Sequence, residues 1–319
     1  MVTMIFLLLF VVSQVVGLYL VNLSLKEISV QNGEVKMDFT QTVVGDRPET
    51  TGWGSIAYII IGVTIGTILL IFLAKKKSVN IWKMWFLFAV WLAISIALGV
   101  MLGSVSPWIP WILALVLAIW KIYYQNVFIQ NITEVLMYAG IAVLLVPILY
   151  EPSLGAIPVI ALLLLFSVYD AYAVWKSKHM VKMAKFTTDA NVFPGLMLSY
   201  TQDRHKKTKI HSKLKHGKLQ GTKGSAKHTV TKKTGVLGGG DVIFPMLFAG
   251  VIMLDLLTKY FDSGITKFQA FSYVMIIVLG ATLSLLFLFT YGKKDKFYPA
   301  MPFITTGCLL GYVVMLLVI

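Results

Sequence analysis

Apolar runs separated by charged or turn-rich breaks recur along the whole chain. They are too long and too uninterrupted for the alternating pattern of a membrane barrel, so α-helical spans account for them. Nine are predicted, near 3–21, 53–74, 84–104, 107–120, 135–150, 153–175, 236–257, 268–290 and 298–319. The fourth and fifth are the shortest, and the stretch 123–134 between them is mildly polar. The first run, rich in leucine and valine, also resembles a secretory leader. No basic segment precedes it and no small-residue cleavage site follows, so it is read as a span.

Composition agrees with this pattern. Of 319 residues, 58% are hydrophobic and only 13% charged, too little polar surface to cover a soluble globule of this size. The predicted class is an all-α multi-pass membrane protein with nine transmembrane helices. The single cysteine, Cys308, lies in the last apolar run, which rules out an intrachain disulfide.

Charge placement predicts orientation. Lys75, Lys76, Lys77 and Lys83 follow the second span, Lys121 the fourth, a very basic loop the sixth, and Lys293, Lys294 and Lys296 the eighth. The loops between are neutral or acidic. Positive residues mark the cytoplasmic side, so the N-terminus and the basic loop are expected inside and the C-terminus outside. Trp53, Trp82, Trp85, Trp108, Trp111, Trp120 and Trp175 fall near predicted span ends, where interfacial anchors belong.

The chain thus divides into membrane portions 1–175 and 235–319, forming one membrane domain, around a loop 176–234. That loop carries fourteen lysines and one arginine against two acids, a net +13 of the chain's formal +14. Its half 201–234 has few large apolar side chains and is expected to be disordered. It reads as a solvated linker that also sets topology, or as a surface for anionic lipid headgroups. No aromatic interleaving supports nucleic-acid binding. All five histidines, His179, His205, His211, His216 and His228, lie in it without zinc-site spacing, so no metal is expected. Segment 177–186, with Met180, Met183 and Phe186 set against Lys178, Lys182 and Lys185, has the spacing of a short amphipathic helix.

Two aspartates interrupt the apolar runs, Asp170 after Leu162–Tyr169 and Asp241 after Gly238, Gly239 and Gly240. An ionisable group in such a run marks a functional site. At helical rise, Asp170 lies roughly 9 Å from Lys176, and Asp241 roughly 12 Å from Lys233. The two are therefore nearly level in antiparallel spans. Carboxyls brought together share a proton: the ionised one takes a proton from water attacking a peptide carbonyl, and the protonated one polarises that carbonyl. The glycines weaken helix and let another backbone approach Asp241, or alternatively serve close helix packing. Tyr298-Pro299-Ala300-Met301-Pro302 opens the ninth span on the same side. Two prolines there point to non-helical backbone at that level, or to an ordinary helix start.

These motifs together resemble the presenilin and signal peptide peptidase family of GxGD intramembrane aspartyl proteases. Tyr169-Asp170 matches the family's Tyr-Asp in the sixth span. Gly238-Gly239-Gly240-Asp241 matches Gly-x-Gly-Asp in the seventh, and Pro299-Ala300-Met301 stands where the family has Pro-Ala-Leu. The resemblance implies a presenilin-like fold and Asp170 and Asp241 as the catalytic pair. It also implies that Tyr169, the three glycines, Pro299, Ala300 and Met301 shape the active site. Transmembrane helices of other proteins would be the substrates, and no cofactor is implied.

The inward basic loop matches the presenilin orientation, opposite to that of signal peptide peptidases. The loop lacks the long apolar segment cut in presenilin self-processing; only 191–198 is apolar there. The chain looks like a small microbial homologue acting without accessory subunits, and its oligomeric state is left open. The rival readings are an ion channel or proton-coupled transporter, for which internal repeats are missing, a prepilin-type peptidase, which lacks the Pro-Ala-Leu element, and a noncatalytic helix-binding protein.

Overall fold

The computed structural model describes all residues except 1, 32–33, 48–49, 77–78, 125, 178–193, 205–228 and 293–297. In it the apolar runs are helices: α1 (Val2–Ser24), α2 (Gly52–Lys76), α3 (Val79–Leu102), α4 (Trp108–Tyr123), α5 (Val127–Leu149), α6 (Ile157–Tyr172), α7 (Gly239–Lys259), α8 (Lys267–Tyr291) and α9 (Met301–Val318). Eight of these described helices are long and apolar enough to cross a membrane. The exception is α4, whose 16 residues reach only about 24 Å at helical rise, whereas α6, also 16 residues, is carried on by a π turn to Lys176 and so spans 20. The protein is a multi-pass integral membrane protein with an all-α membrane region.

Two antiparallel hairpins, absent from the sequence reading, complete the described chain. Strands β1 (Leu25–Gln31) and β2 (Glu34–Phe39) follow α1. Strands β3 (Gly195–Arg204) and β4 (Thr229–Gly238) pair from Gly195↔Gly238 to Arg204↔Thr229. The expected disorder of 201–234 therefore does not hold at its two ends. Pairing there continues outward from a base where Leu196 and Leu237 are buried against the helices. The five histidines, the amphipathic segment beyond Ser177 and residues 191–193 lie outside the described residues.

Polar residues moved one boundary further than any other. α5 starts at Val127, eight residues before the predicted 135, because Gln130, Asn131 and Glu134 are not loop residues but partnered side chains on a packed helix. α3 likewise begins at Val79. Trp82 is then a core residue, 3% exposed and stacked at 5.6 Å on both Trp85 and Phe86, not an interfacial anchor.

The bundle is built around α7, whose apolar window is 78% buried against 12% for α2. α1 packs on α5, α7 and α8, with Phe10, Leu18 and Val21 sealed inside. Small residues bring backbones together where side chains leave no room. At the α3–α5 crossing, a Cβ on Gly140 would stand 1.8 Å from the Ala93 carbonyl oxygen. At the α8–α9 crossing, Gly280 and Gly307 face each other's carbonyls in the same way.

Candidate active site

Asp241 sits in the first turn of α7, and its position follows from the glycines before it. Gly238 ends β4 in extended conformation (φ −61°, ψ 144°) and caps the helix. Three residues on, the Asp241 carboxylate folds back toward Gly238, as the third helical residue does in a capping box, and the positive end of the helix dipole favours its charge. A Cβ on Gly238 would lie 3.1 Å from Asp241 Oδ2, so a side chain there would press on the carboxylate. Gly239 is tighter than its place in the motif suggests, because a Cβ would meet the Tyr138 hydroxyl at 3.0 Å and its ring at 3.2 Å. Gly240 is open, its nearest neighbour being the Phe244 ring at 3.6 Å. Beyond the acid, Gln14 Nε2 of α1 donates to the Val242 carbonyl at 2.7 Å, and Pro245 interrupts the helix ladder.

Asp170 lies near the end of α6, before a single π turn at Ala173–Ser177, and is buried. Its Oδ2 accepts the Met301 amide at 3.2 Å. The first amides of a helix have no partner within it, and Ala300 offers no side-chain cap. Asp170 therefore caps α9 from a different helix. Pro302 has no amide to offer, which leaves Met301 as the first donor of the helix. Pro299 and Met301 are buried beside this contact.

The two acids are brought together where α6 and α7 meet. One turn from each stands a phenylalanine on the same face, Phe166 before Asp170 and Phe244 after Asp241, and the two rings stack at 4.1 Å. The sequence places the two acids level in neighbouring antiparallel spans, and α6 and α7 do meet here at the Phe166–Phe244 stack, but not by the predicted route. Residues 229–238 are strand, so helical rise from Lys233 does not measure the depth of Asp241.

Tyr169 turns away from the pair. It is 47% exposed, packs edge-on to Phe166, and lines an apolar groove of about 290 Å³ between α2 and α6 with Ile60, Val63, Thr64 and Leu165.

Sequence reading missed Gln14, Asn131, Glu134 and Tyr138. The spacing of Gln130, Glu134 and Tyr138, four residues apart on one helical face, was the available signal. Among the described residues no cluster of three or more potential ligands could hold a metal.

Comparison with known proteins agrees with this architecture. Two solved structures described as a presenilin family intramembrane aspartate protease resemble the chain. One, in space group C222, has a TM-score of 0.59 at 15% identity and full coverage of both chains. The other, in P2, has 0.57 at 18% identity, covering 98% of this chain and 96% of its own. At such identities these show the fold. No curated protein matches by sequence. The family model described as signal-peptide peptidase, presenilin aspartyl protease matches residues 7–319. The chain therefore belongs to the signal-peptide peptidase and presenilin family, and is an intramembrane aspartyl protease.

Proposed function

We propose that Asp170 and Asp241 are the catalytic pair and that the substrates are transmembrane helices of other membrane proteins. The observation that carries this is the placing of the two carboxyls on neighbouring helices, each one turn from the Phe166–Phe244 stack, with Asp170 held by the Met301 amide. One shared proton satisfies such a pair. The ionised member takes a proton from water as the water oxygen attacks the scissile carbonyl carbon. The protonated member hydrogen-bonds the carbonyl oxygen, and a tetrahedral diol forms. Transfer of a proton to the amide nitrogen then lets the carbon–nitrogen bond break, leaving a carboxylic acid and an amine. Because the pair titrates as a unit, neither acid owns the proton.

A helical substrate must unwind before its backbone reaches the acids, and the β3–β4 hairpin offers it a partner. The outer edge of β3 is closed: Asn131 Nδ2 donates to the Met197 carbonyl and Asn131 Oδ1 accepts the Met197 amide, both at 2.8 Å. In an antiparallel pair these directions alternate, so Val236, opposite Met197, points its amide and carbonyl outward from β4. That edge is open to strand addition and runs directly into Gly238. The apolar groove beside Tyr169 suits a still-helical segment on its way to Asp170.

The basic segment 176–234 and the N-terminus are assigned to the cytoplasm and the C-terminus to the opposite side. The segment's lysines attract anionic headgroups at about 1 kcal/mol per residue near the surface. A reporter inserted near Gly221 is expected to be shielded in intact cells; labelling from outside would reverse the assignment.

A peptide mimic carrying a non-cleavable hydroxyl in place of the scissile carbonyl tests the pair by binding. It is expected to bind the wild type and to lose affinity in both Asp170→Ala and Asp241→Ala; equal affinity in either variant counts against the pair. Two substitutions probe its supports. Met301→Pro deletes the amide donated to Asp170, at a first-turn position that proline can occupy but after Ala300, whose helical conformation (φ −82°, ψ −32°) a following proline disfavours. A hydrogen bond to a charged group is worth about 1.5–3 kcal/mol, so kcat is expected to fall by about 10- to 150-fold, with thermal unfolding as the control for folding. Gly239→Ala is expected to impair cleavage more than Gly240→Ala, since only the former meets Tyr138. Steady-state kinetics on a labelled peptide reads both.

A further inference from the structure

Lys121, in the last turn of α4, and Glu134 of α5 form an ion pair at 2.5 Å, with side chains only 2% and 0% exposed. Burying two charges is unfavourable unless further hydrogen bonds complete the pair. The partners of Glu134 lead to one place. Its Oε1 accepts from Gln130 Nε2 at 3.0 Å, and the same Nε2 donates to the Gly195 carbonyl at 3.1 Å. Gly195 opens β3 and pairs with Gly238, against which the Asp241 carboxylate lies.

A second arm leaves Glu134 along its own helix. Tyr138, one turn on and 2% exposed, sets its hydroxyl and ring against Gly239, and that hydroxyl has no hydrogen-bond partner among the described residues. The motif leaves the position of Gly239 open to any residue. In this chain the space such a side chain would use is taken by Tyr138. Both arms therefore end within three residues of Asp241.

We propose that Glu134, held by Lys121, is a positioning residue: through Gln130 and β3 on one side and Tyr138 on the other, it fixes the Gly238–Gly239 turn and so the aim of the Asp241 carboxylate. This rests on Asp241 being catalytic. Glu134 itself acts only through Gln130, β3 and Tyr138.

The test compares two double variants of the purified full chain, Lys121→Met with Glu134→Gln, and Lys121→Met with Glu134→Met. Neither leaves an unpaired buried charge, and only glutamine keeps an oxygen to accept from Gln130. Cleavage kinetics on a labelled transmembrane peptide and amide hydrogen exchange across 235–241, measured without substrate, are the readouts. The methionine variant is expected to lose at least about tenfold in kcat with little change in KM and to exchange faster across 235–241. The glutamine variant is expected to recover most of the kcat and the wild-type exchange.

Equal kcat and equal exchange in the two variants would overturn the proposal. If the methionine variant does not fold, Gln130→Met and Tyr138→Phe, each cutting one arm, carry the test: a lowered kcat with faster exchange in either supports the proposal, and wild-type kcat and exchange in both overturn it. Because exchange is read without substrate, its failure is distinguishable from cleavage that survives loss of Asp241, which would refute the catalytic pair itself.

Discussion

Asparagine in place of either Asp170 or Asp241 is expected to abolish cleavage while leaving the protein folded. The side-chain oxygen of asparagine still accepts the Met301 amide at position 170 and fits beside Gly238 at position 241. Only proton exchange is lost. General acid–base groups contribute about 10²–10⁴-fold each, so each single variant should fall by at least about 10²-fold in kcat. Residues acting as one unit are not additive. The double variant is therefore expected to be no slower than either single one, and a further multiplicative loss would show that the two acids act independently.

The largest effect on folding is expected at Gly140, 10 residues along α5 from Gln130. A methyl group there would stand 1.8 Å from the Ala93 carbonyl oxygen and 2.8 Å from its carbon, both backbone atoms that cannot swing aside. Alanine must push α3 and α5 apart. Overpacking of this kind costs about 1–3 kcal/mol or more. The displacement also moves the helix that carries Asn131 and Tyr138, so cleavage should fall with stability. Gly62 of α2 is the control, exposed and with nothing within 4 Å of an added Cβ. There alanine removes a glycine from a helix interior and is expected to be neutral or stabilising by up to about 1 kcal/mol. Thermal unfolding in detergent should separate the two variants, and equal midpoints would contradict the packing described at the α3–α5 crossing.

Helix order and the two acids were legible because both rest on strong local signals, long apolar runs and charges within them. The supports of the site were not, because their signals are ambiguous. Gln130, Asn131 and Glu134 read as a polar linker when each is in fact matched to a partner from another element, Gly195, Met197 and Lys121. Strand pairing beside α7 was hidden in a lysine- and threonine-rich segment whose ordered base depends on two buried leucines, Leu196 and Leu237. The near-equal depth of the acids was inferred from a helical rise that β4 does not have. What brings them together is the antiparallel meeting of α6 with α7 and the Phe166–Phe244 stack. The role of Asp170 as a cap for α9 was equally out of reach, since 131 residues separate it from Met301.

Family membership favours proteolysis over the channel and transporter readings. Hydrolysis in ¹⁸O-enriched water tests the proposed chemistry of this chain most directly. Purified protein is incubated with a labelled transmembrane peptide, and the products of the wild type, Asp170→Asn and Asp241→Asn are weighed by mass spectrometry. The wild type is expected to yield fragments whose new carboxyl terminus carries the heavy oxygen, and both variants to yield none. Labelled fragments from either variant at a rate near the wild type would contradict catalysis by Asp170 and Asp241.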